Sequence, residues 1–312
     1  MFSGILAGIT WALETVILGI ALNMSPFLET EEAIFLAPFA ATFLHDAVSA
    51  VFMWIYNAAR GNIKGVLSVF RSKSVIWLCL ASAIGGPVGM TGYVLAVRYM
   101  GASVGAVASA VYPAIGTALA FFFLKEKVRW YQWIFLSAAL LGVFGLSYSP
   151  SLEVGNFWLG LIGAVMCALG WGVEAVILAK CLKDPSIKNE YALCIRQTTS
   201  AFIYGALIIP ILGGWSFTAG LFVGENAALL GVIALAALFA SVSYLFYYGA
   251  IERIGASRAM ALNITYTAWA MVFTVIILRD TSAINLTTVA CAAVVVVCGV
   301  LAATDLKKLL KK

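Results

Sequence analysis

Long apolar segments follow one another along this 312-residue chain and dominate its sequence. A helix needs about 20 mostly apolar residues to cross a bilayer. Charged residues make up only 11% of the chain, against about 25% in soluble domains, so most of its surface must face lipid. Segments of sufficient length lie at residues 2–22, 35–58, 75–97, 102–124, 130–149, 156–180, 190–212, 227–250, 256–278 and 283–303. The sequence therefore predicts an all-α polytopic membrane protein with ten transmembrane helices.

The basic residues between these segments predict the orientation of the chain. Lys and Arg concentrate in the cytoplasmic loops of membrane proteins. With a cytoplasmic N-terminus, sixteen of the nineteen basic residues fall on the inner side: Arg60, Lys64, Arg71, Lys73, Lys125, Lys127, Arg129, Lys180, Lys183, Lys188, Arg253, Arg258, Lys307, Lys308, Lys311 and Lys312. Arg98 and Arg279 fall outside, and Arg196 lies within a span. We therefore expect both termini in the cytoplasm.

One motif occurs twice, at equivalent places in the two halves of the chain. Residues 11–18 read WALETVIL and residues 171–178 read WGVEAVIL, with Trp, Glu, Val, Ile and Leu at identical spacing. Each half thus keeps one carboxylate, Glu14 or Glu174, at membrane depth. Ionisable groups at that depth are costly, and they mark substrate or ion pathways. The duplicated motif therefore predicts a transporter.

Weaker matches extend the duplication along the chain. The matched pairs are residues 101–103 with 255–257, Tyr112 with Tyr266, residues 124–126 with 278–280, and residues 49–50 with 200–201, the last of which aligns His45 with Arg196 and Asp46 with Gln197. Five spans per half is an odd number, so two homologous halves, residues 1–150 and 151–312, must have opposite orientations in the membrane. Inverted repeats around a central cavity are typical of alternating access.

The repeat length, the acidic residue that closes the fourth span of each half (Glu126 and Asp280) and the Gly/Pro-rich third and fourth spans resemble the drug/metabolite transporter superfamily of the EamA type. Within it, the chain is most similar to YddG-type bacterial exporters. The resemblance implies ten helices in two inverted five-helix repeats, a bacterial inner membrane, and export of aromatic and other apolar amino acids. The alternative within the superfamily is a multidrug or general metabolite exporter.

Trp11 with Glu14, and Trp171 with Glu174, are the first candidate binding residues. Residues three apart lie on the same face of a helix. A carboxylate beside an indole suits an ammonium group, through ion pairing and cation–π attraction. The competing interpretation is that each carboxylate is a structural charge held by a neighbouring helix.

Three further polar residues lie within predicted spans. His45 is the only histidine and, next to Asp46, either relays protons or binds a substrate carboxylate. The alternative is a satisfied polar pair that ties the second span to its neighbours. Arg196 either reaches the cytoplasmic interface, pairs with Glu174 or Asp46, or clamps a substrate carboxylate.

Three mid-span aromatic residues are candidates for the wall of a substrate cavity. Tyr112 and Tyr266 are related by the repeat, and Trp269 follows one turn after Tyr266. Most other aromatic residues are expected to face lipid or the membrane interface. We predict that these three line an apolar vestibule for ring-bearing substrates.

The hairpins of spans three and four and of spans eight and nine are predicted gates. The predicted hinge residues are Gly85, Gly86, Pro87, Gly101, Pro113 and Gly255. Proline removes a helical hydrogen bond and glycine lowers the cost of bending. Alanine at Gly85, Gly86 and Pro87 is expected to stiffen span three without loss of stability. Close packing of small residues is the alternative interpretation.

The sequence offers little support for other classes of protein. It carries no Walker A, HExxH or GxSxG motif, and its six cysteines lack metal-site spacing, so no cofactor, metal or catalytic activity is expected. A membrane-embedded enzyme acting on lipid through the buried polar residues is the remaining alternative class. The expected partners are a small-molecule substrate and the lipid bilayer, without nucleic acid, and the expected assembly is a monomer.

Overall fold

The computed structural model describes residues 1–100, 110–147, 157–281 and 284–306. The α-helices in these residues are α1 (Phe2–Leu22), α2 (Glu31–Ala59), α3 (Ile63–Val69), α4 (Ser74–Ala83), α5 (Gly89–Met100), α6 (Tyr112–Phe123), α7 (Trp130–Ser147), α8 (Phe157–Cys181), α9 (Asn189–Ile203), α10 (Ile209–Ile211), α11 (Trp215–Gly220), α12 (Ala227–Ile254), α13 (Ala256–Asn263), α14 (Tyr266–Phe273) and α15 (Leu286–Ala303). Three π-helical turns, Ile84–Val88, Tyr204–Ile208 and Thr274–Leu278, continue α4, α9 and α14.

These helices account for each of the predicted membrane segments. Eight helical stretches of the described residues are long and apolar enough to cross a bilayer. Two shorter apolar helices, Tyr112–Phe123 and Trp130–Leu146, fall in the fourth and fifth predicted segments. The prediction of a multi-pass membrane protein is therefore confirmed, whereas the count of ten spans stays a prediction.

Each half of the chain contributes one central helix that packs against the other half. Helix α1 packs along α12 and α14, and α8 packs along α5 and α6. Small residues allow these helices to approach closely. A Cβ added at Gly172 of α8 would lie 3.0 Å from the backbone nitrogen of Gly116 in α6. On the other side, a Cβ at Gly8 of α1 would lie 2.7 Å from the hydroxyl of Thr265.

Helices begin at related positions in the fourth and ninth predicted spans. Helix α14 begins at Tyr266, after a turn that follows α13, and α6 begins at Tyr112. Pro113 occupies the first turn of α6, and its role as a hinge of the fourth span stays a prediction, because residues 101–109 lie outside the described part of the chain. Proline is tolerated in the first turn of a helix, since the backbone N–H groups of a first turn have no intrahelical partner.

One face of the protein carries the N-terminus together with the loops rich in Lys and Arg, and we call it the basic face. Hydrogen bonds join these loops directly. The hydroxyls of Ser72 and Ser74 each donate to Asp184 at 3.1 Å. The hydroxyl and the backbone amide of Ser186, together with these two serines, hold the pKa of Asp184 below its usual range.

At the basic face, the carboxylate of Glu126 binds the turn between α12 and α13. Glu126 accepts hydrogen bonds from the backbone nitrogens of Ala256 at 2.8 Å and Ser257 at 3.1 Å, and from the Ser257 hydroxyl. Gly255 has a φ of +88° at this turn, and an added Cβ would lie 2.8 Å from the Glu126 carboxylate. The glycine is therefore needed both for its conformation and for the space it leaves.

Candidate functional site

Each of the two repeated carboxylates lies near one basic residue of its own half of the chain. The repeat aligns these two basic residues with each other. In the second half, Arg196 Nε of α9 donates to Glu174 Oε1 of α8 at 2.9 Å. In the first half, His45 Nε2 of α2 lies 3.6 Å from Glu14 Oε1 of α1. His45 and Arg196, which the repeat aligns, therefore lie in equivalent places beside the two carboxylates.

Asp46 connects the two pairs. Its Oδ1 lies 2.9 Å from His45 Nδ1, and its Oδ2 lies 3.7 Å from Arg196 Nη1. Asp46 Oδ2 also accepts from the Ser200 hydroxyl at 2.6 Å. We call Glu14, His45, Asp46, Glu174 and Arg196 the charge cluster.

The charge cluster lies inside the protein and holds more acidic than basic groups. Each of its residues is at most 8% exposed. Three carboxylates face one guanidinium and one imidazole, so with the carboxylates ionised the sum is negative even when His45 is protonated. Buried charge of one sign is costly unless it is balanced. A cation, either a proton or a charged substrate, would balance it.

Glu14 is the carboxylate of the cluster with the fewest protein partners. Its hydrogen bond comes from its neighbour Thr15 at 3.3 Å, and the nearest basic atom is His45 Nε2. His45 Nε2 itself is buried and makes no hydrogen bond. Glu14 also lines a cavity, so it is the carboxylate of the cluster that is best placed to meet a ligand.

Seven aromatic side chains line an adjoining cavity, which we call the aromatic box. Its rings are those of Trp11, Tyr112, Trp171, Tyr244, Tyr247, Tyr248 and Tyr266. The cavity between them measures about 40 Å³, room for a few water molecules, so a larger solute would require the rings to move apart. Glu174 and Asn263 are polar residues of its wall. The Asn263 side chain donates to the Tyr112 hydroxyl at 2.9 Å.

The two repeated tryptophans occupy similar settings in the box. Trp11 contacts Tyr244 and Tyr266, with ring centroids 4.9 and 6.4 Å away. Trp171 contacts Tyr93 and Tyr112, at 5.9 and 5.5 Å. Each indole thus packs against two tyrosines from the other half of the chain.

The cavities adjoin one another. Trp11, Trp171 and Tyr244 line both the aromatic box and the cavity of the charge cluster. Leu18 and Met90 line both the cluster cavity and a wider groove that reaches Leu22 and Ile34, near the face opposite the basic one. The cluster cavity therefore lies between the aromatic box and the groove that extends toward the far face.

Most of the predicted cavity residues are brought together, and the exceptions are specific. Trp269 of α14 is not among the residues that line the aromatic box or the cluster cavity, and its place in a vestibule wall stays a prediction. Gly101 lies outside the described residues. Arg196 pairs with Glu174 and Asp46, as one of the three sequence interpretations proposed.

Three tyrosines of α12 were not predicted. Tyr244 and Tyr248 are four residues apart and therefore share a face of the helix, and Tyr247 lies beside them. The guanidinium carbon of Arg196 lies 4.6 Å from the centroid of the Tyr244 ring. The feature of the sequence that could have identified them is this cluster of tyrosines within an otherwise apolar span.

Gly85 and Gly86 lie against the charge cluster, within a π-helical turn that also contains Pro87. An added Cβ would come within 1.8 Å of Glu174 Oε2 at Gly85, and within 2.3 Å of the Ser200 hydroxyl at Gly86. The expectation that alanine would be tolerated at these positions is therefore wrong. The glycines give the carboxylate room, and their role as hinges stays a prediction.

We expect Gly85→Ala to lower thermal stability, by about 1–3 kcal/mol, because Glu174 must shift and its bond to Arg196 is strained. Gly231→Ala is the matched control, since a Cβ there meets nothing within 4 Å and α12 gains helix propensity. Thermal unfolding of both variants in detergent measures the difference. Equal midpoints for the two variants would contradict this view of Gly85.

Cavities at the centre of a multi-pass helical bundle are typical of membrane transporters. Residues 1–148 match the model of the EamA-like transporter family. The chain is 28% identical to Protein LicB of Haemophilus influenzae over 269 residues, which cover 86% of this chain and 85% of the relative.

Two further comparisons agree with this class. An uncharacterized transporter of Clostridium kluyveri is 24% identical over 218 residues, covering 67% of this chain and 66% of the relative. A solved crystal structure superposes with a TM-score of 0.74 at 19% identity and covers 100% of both chains. This last similarity concerns the fold alone. Together the matches support a transport function and leave the substrate to the chemistry of the cavity.

Proposed function

We propose that this protein is a secondary transporter for a small organic cation, with an ammonium group that carries methyl or similar apolar substituents. The observation that carries the proposal is the aromatic box beside a charge cluster with more acidic than basic groups. Aromatic rings attract an alkylated ammonium through cation–π interactions worth about 2 kcal/mol or more when water is excluded. The same rings bury its apolar substituents.

The cation fits best where the two cavities meet. Trp11, Trp171 and Tyr244 line both cavities there. Glu14 lines the cluster side and supplies a carboxylate with few protein partners. Glu174 is held by Arg196, and we propose that it orients the guanidinium and does not itself bind the substrate.

The packing of the halves supports transport by alternating access. Helix α1 packs on α12 and α14 as α8 packs on α5 and α6, which is the exchange of contacts expected of inverted repeats. The groove that adjoins the cluster cavity extends toward the far face, while Glu126 joins the hairpin of α12 and α13 at the basic face. We propose that the basic face is cytoplasmic, which makes this conformation open to the outside.

The charge of the substrate bears on the direction of transport. The resemblance to YddG-type exporters implies export across a bacterial inner membrane. A cation moving alone is instead drawn inward, because a membrane potential of 100 mV, negative inside, favours its entry by about 2.3 kcal/mol. We therefore propose uptake of the cation, with export possible only if a proton or another cation moves in the opposite direction.

Aromatic amino acids are the second candidate, and Arg196 is the observation that favours them. Its guanidinium lines the cluster cavity, where a substrate carboxylate would meet it. Its Nε donates to Glu174, and its Nη1 donates to Gln197 and lies within 4 Å of Asp46, so two protein carboxylates already face its positive charge. A substrate carboxylate would compete with them for the guanidinium, whereas an organic cation would not, and the cation is our first choice.

Uptake into liposomes distinguishes the two candidates. The purified protein is reconstituted, a potential that is negative inside is imposed, and labelled choline and labelled phenylalanine are followed separately. We expect saturable choline uptake that disappears when the potential is collapsed. Saturable phenylalanine flux without choline flux would contradict the proposal and favour the amino-acid candidate. An imposed pH gradient without a potential tests whether His45 and Glu14 couple protons to transport.

A further inference from the structure

A second, separate cavity opens on the surface of the helical bundle, between α4, α6 and α8. It is the groove lined by Trp77, Leu119, Phe123, Leu124, Val173, Val176, Ile177, Lys180 and Lys183, and we call it the lysine groove. Its volume is about 620 Å³, against about 40 Å³ for the aromatic box. It shares no lining residue with the box, so it is a different site.

The lysine groove is apolar along its length and basic at one end. Val173 and Lys180 lie seven residues apart on α8, so the groove extends about 10 Å into the bundle from the basic face. Phe123 and Trp77 on its walls are 74% and 52% exposed, which leaves large apolar surfaces open to a lipid chain. Lys180 Nζ lies 5.8 Å from the centre of the Trp77 ring, at the mouth of the groove.

The two lysines at the mouth have no acidic partner among the described residues. Both are exposed, and neither ammonium lies within 4 Å of a carboxylate there. Asp184, next to Lys183 in sequence, is bonded instead to Ser72, Ser74 and Ser186. The pair therefore presents free positive charge at the depth where lipid headgroups lie.

We propose that the lysine groove binds one anionic phospholipid, with an acyl chain along the groove and the headgroup phosphate between Lys180 and Lys183. Both parts of such a lipid have a complementary surface. Basic pockets between membrane helices on the cytoplasmic side bind anionic headgroups in this manner. A zwitterionic lipid would fill the apolar part equally well, but its own ammonium would oppose the lysines.

A bound lipid would also contact the helix that carries Glu174. Val173, Val176 and Ile177 face the lysine groove, whereas Trp171, Glu174 and Leu178 line the aromatic box on the other side of α8. The lipid would therefore support α8 from outside.

Native mass spectrometry of the full-length protein tests the proposal directly. The protein is incubated in detergent with equal amounts of phosphatidylglycerol and phosphatidylcholine. We expect one phosphatidylglycerol to stay bound. Lys180→Gln with Lys183→Gln should weaken that binding by roughly ten- to thirty-fold, since each lysine near a headgroup contributes about a factor of five. Lys64→Gln with Lys127→Gln is the matched control, because these lysines belong to the same face but do not line the groove.

Two further experiments test the proposal even if one variant folds poorly. Leu119→Trp should block the acyl chain and reduce lipid retention with both lysines intact. Excess glycerol phosphate should not displace the lipid, because the headgroup alone lacks the apolar contacts. Equal retention of both lipids by the native chain, loss of retention only in the control variant, or displacement by glycerol phosphate would overturn the proposal. The proposal would also be overturned if the protein forms a dimer and carries no bound lipid.

Discussion

Replacing Glu14 with glutamine is expected to weaken binding of the transported cation about thirty-fold, while the protein remains folded. The side chain keeps its size and loses only its charge, so the change isolates the ion pair with the substrate. Removing one member of a buried charge pair costs 2 kcal/mol or more, and 2 kcal/mol corresponds to about thirty-fold in affinity. Equilibrium binding of labelled choline to the detergent-purified variant measures the effect.

Stability provides the internal control for this variant. Glu14 is 6% exposed and has few protein partners, so neutralising it removes a buried negative charge that is poorly compensated. Thermal stability without ligand should therefore hold or rise. Glu225→Gln, at an exposed position between α11 and α12, is the control for general effects of removing a carboxylate. Unchanged choline affinity in Glu14→Gln would argue that Glu14 is a structural charge.

Replacing Arg196 with methionine is expected to have the largest effect on the fold. The change leaves Glu174 without its bond at 2.9 Å and Asp46 without the guanidinium 3.7 Å away. Breaking a buried ion pair by removing one partner costs about 3–5 kcal/mol, because a buried charge is left uncompensated. The unfolding midpoint should fall by roughly 10 °C.

Two companion variants distinguish the effect of an uncompensated buried charge from a simple loss of packing. Combining Arg196→Met with Glu174→Gln removes both charges of the pair and should recover part of the lost stability. Arg258→Met removes the cation of a more exposed pair with Asp305, at 3.8 Å, and should cost less than about 1 kcal/mol. If the double variant is less stable than Arg196→Met alone, the uncompensated carboxylate is not the cause.

The repeat predicted much of the charge cluster from the sequence. The two WxxE motifs identified Glu14 and Glu174, and a second offset aligned His45 with Arg196. The structure brings each carboxylate to the basic residue of its own half. Such pairs can be read from a duplicated chain because an ion pair that is costly to bury must keep both members.

Other parts of the site depend on which way each helix faces, and here the sequence is less informative. Most residues of α12 are apolar on every side, so hydrophobic periodicity does not distinguish its cavity face from its lipid face, and Tyr244 and Tyr248 were not predicted. The space that Gly85 leaves for Glu174 is a contact between halves of the chain. Local sequence could suggest a flexible glycine there, but not the side chain that it accommodates.

The central claim is that the aromatic box and the charge cluster recognise positive charge on an alkylated solute. Quenching of tryptophan fluorescence in the native protein tests it most directly, because Trp11 and Trp171 line the box. Choline should bind at least thirty-fold more tightly than the uncharged analogue in which carbon replaces the ammonium nitrogen. Trp11→Phe should retain part of this preference, and Trp11→Ala should lose most of it. Equal affinity for the charged and uncharged compounds would contradict the account, because the site would then recognise shape and apolar surface alone.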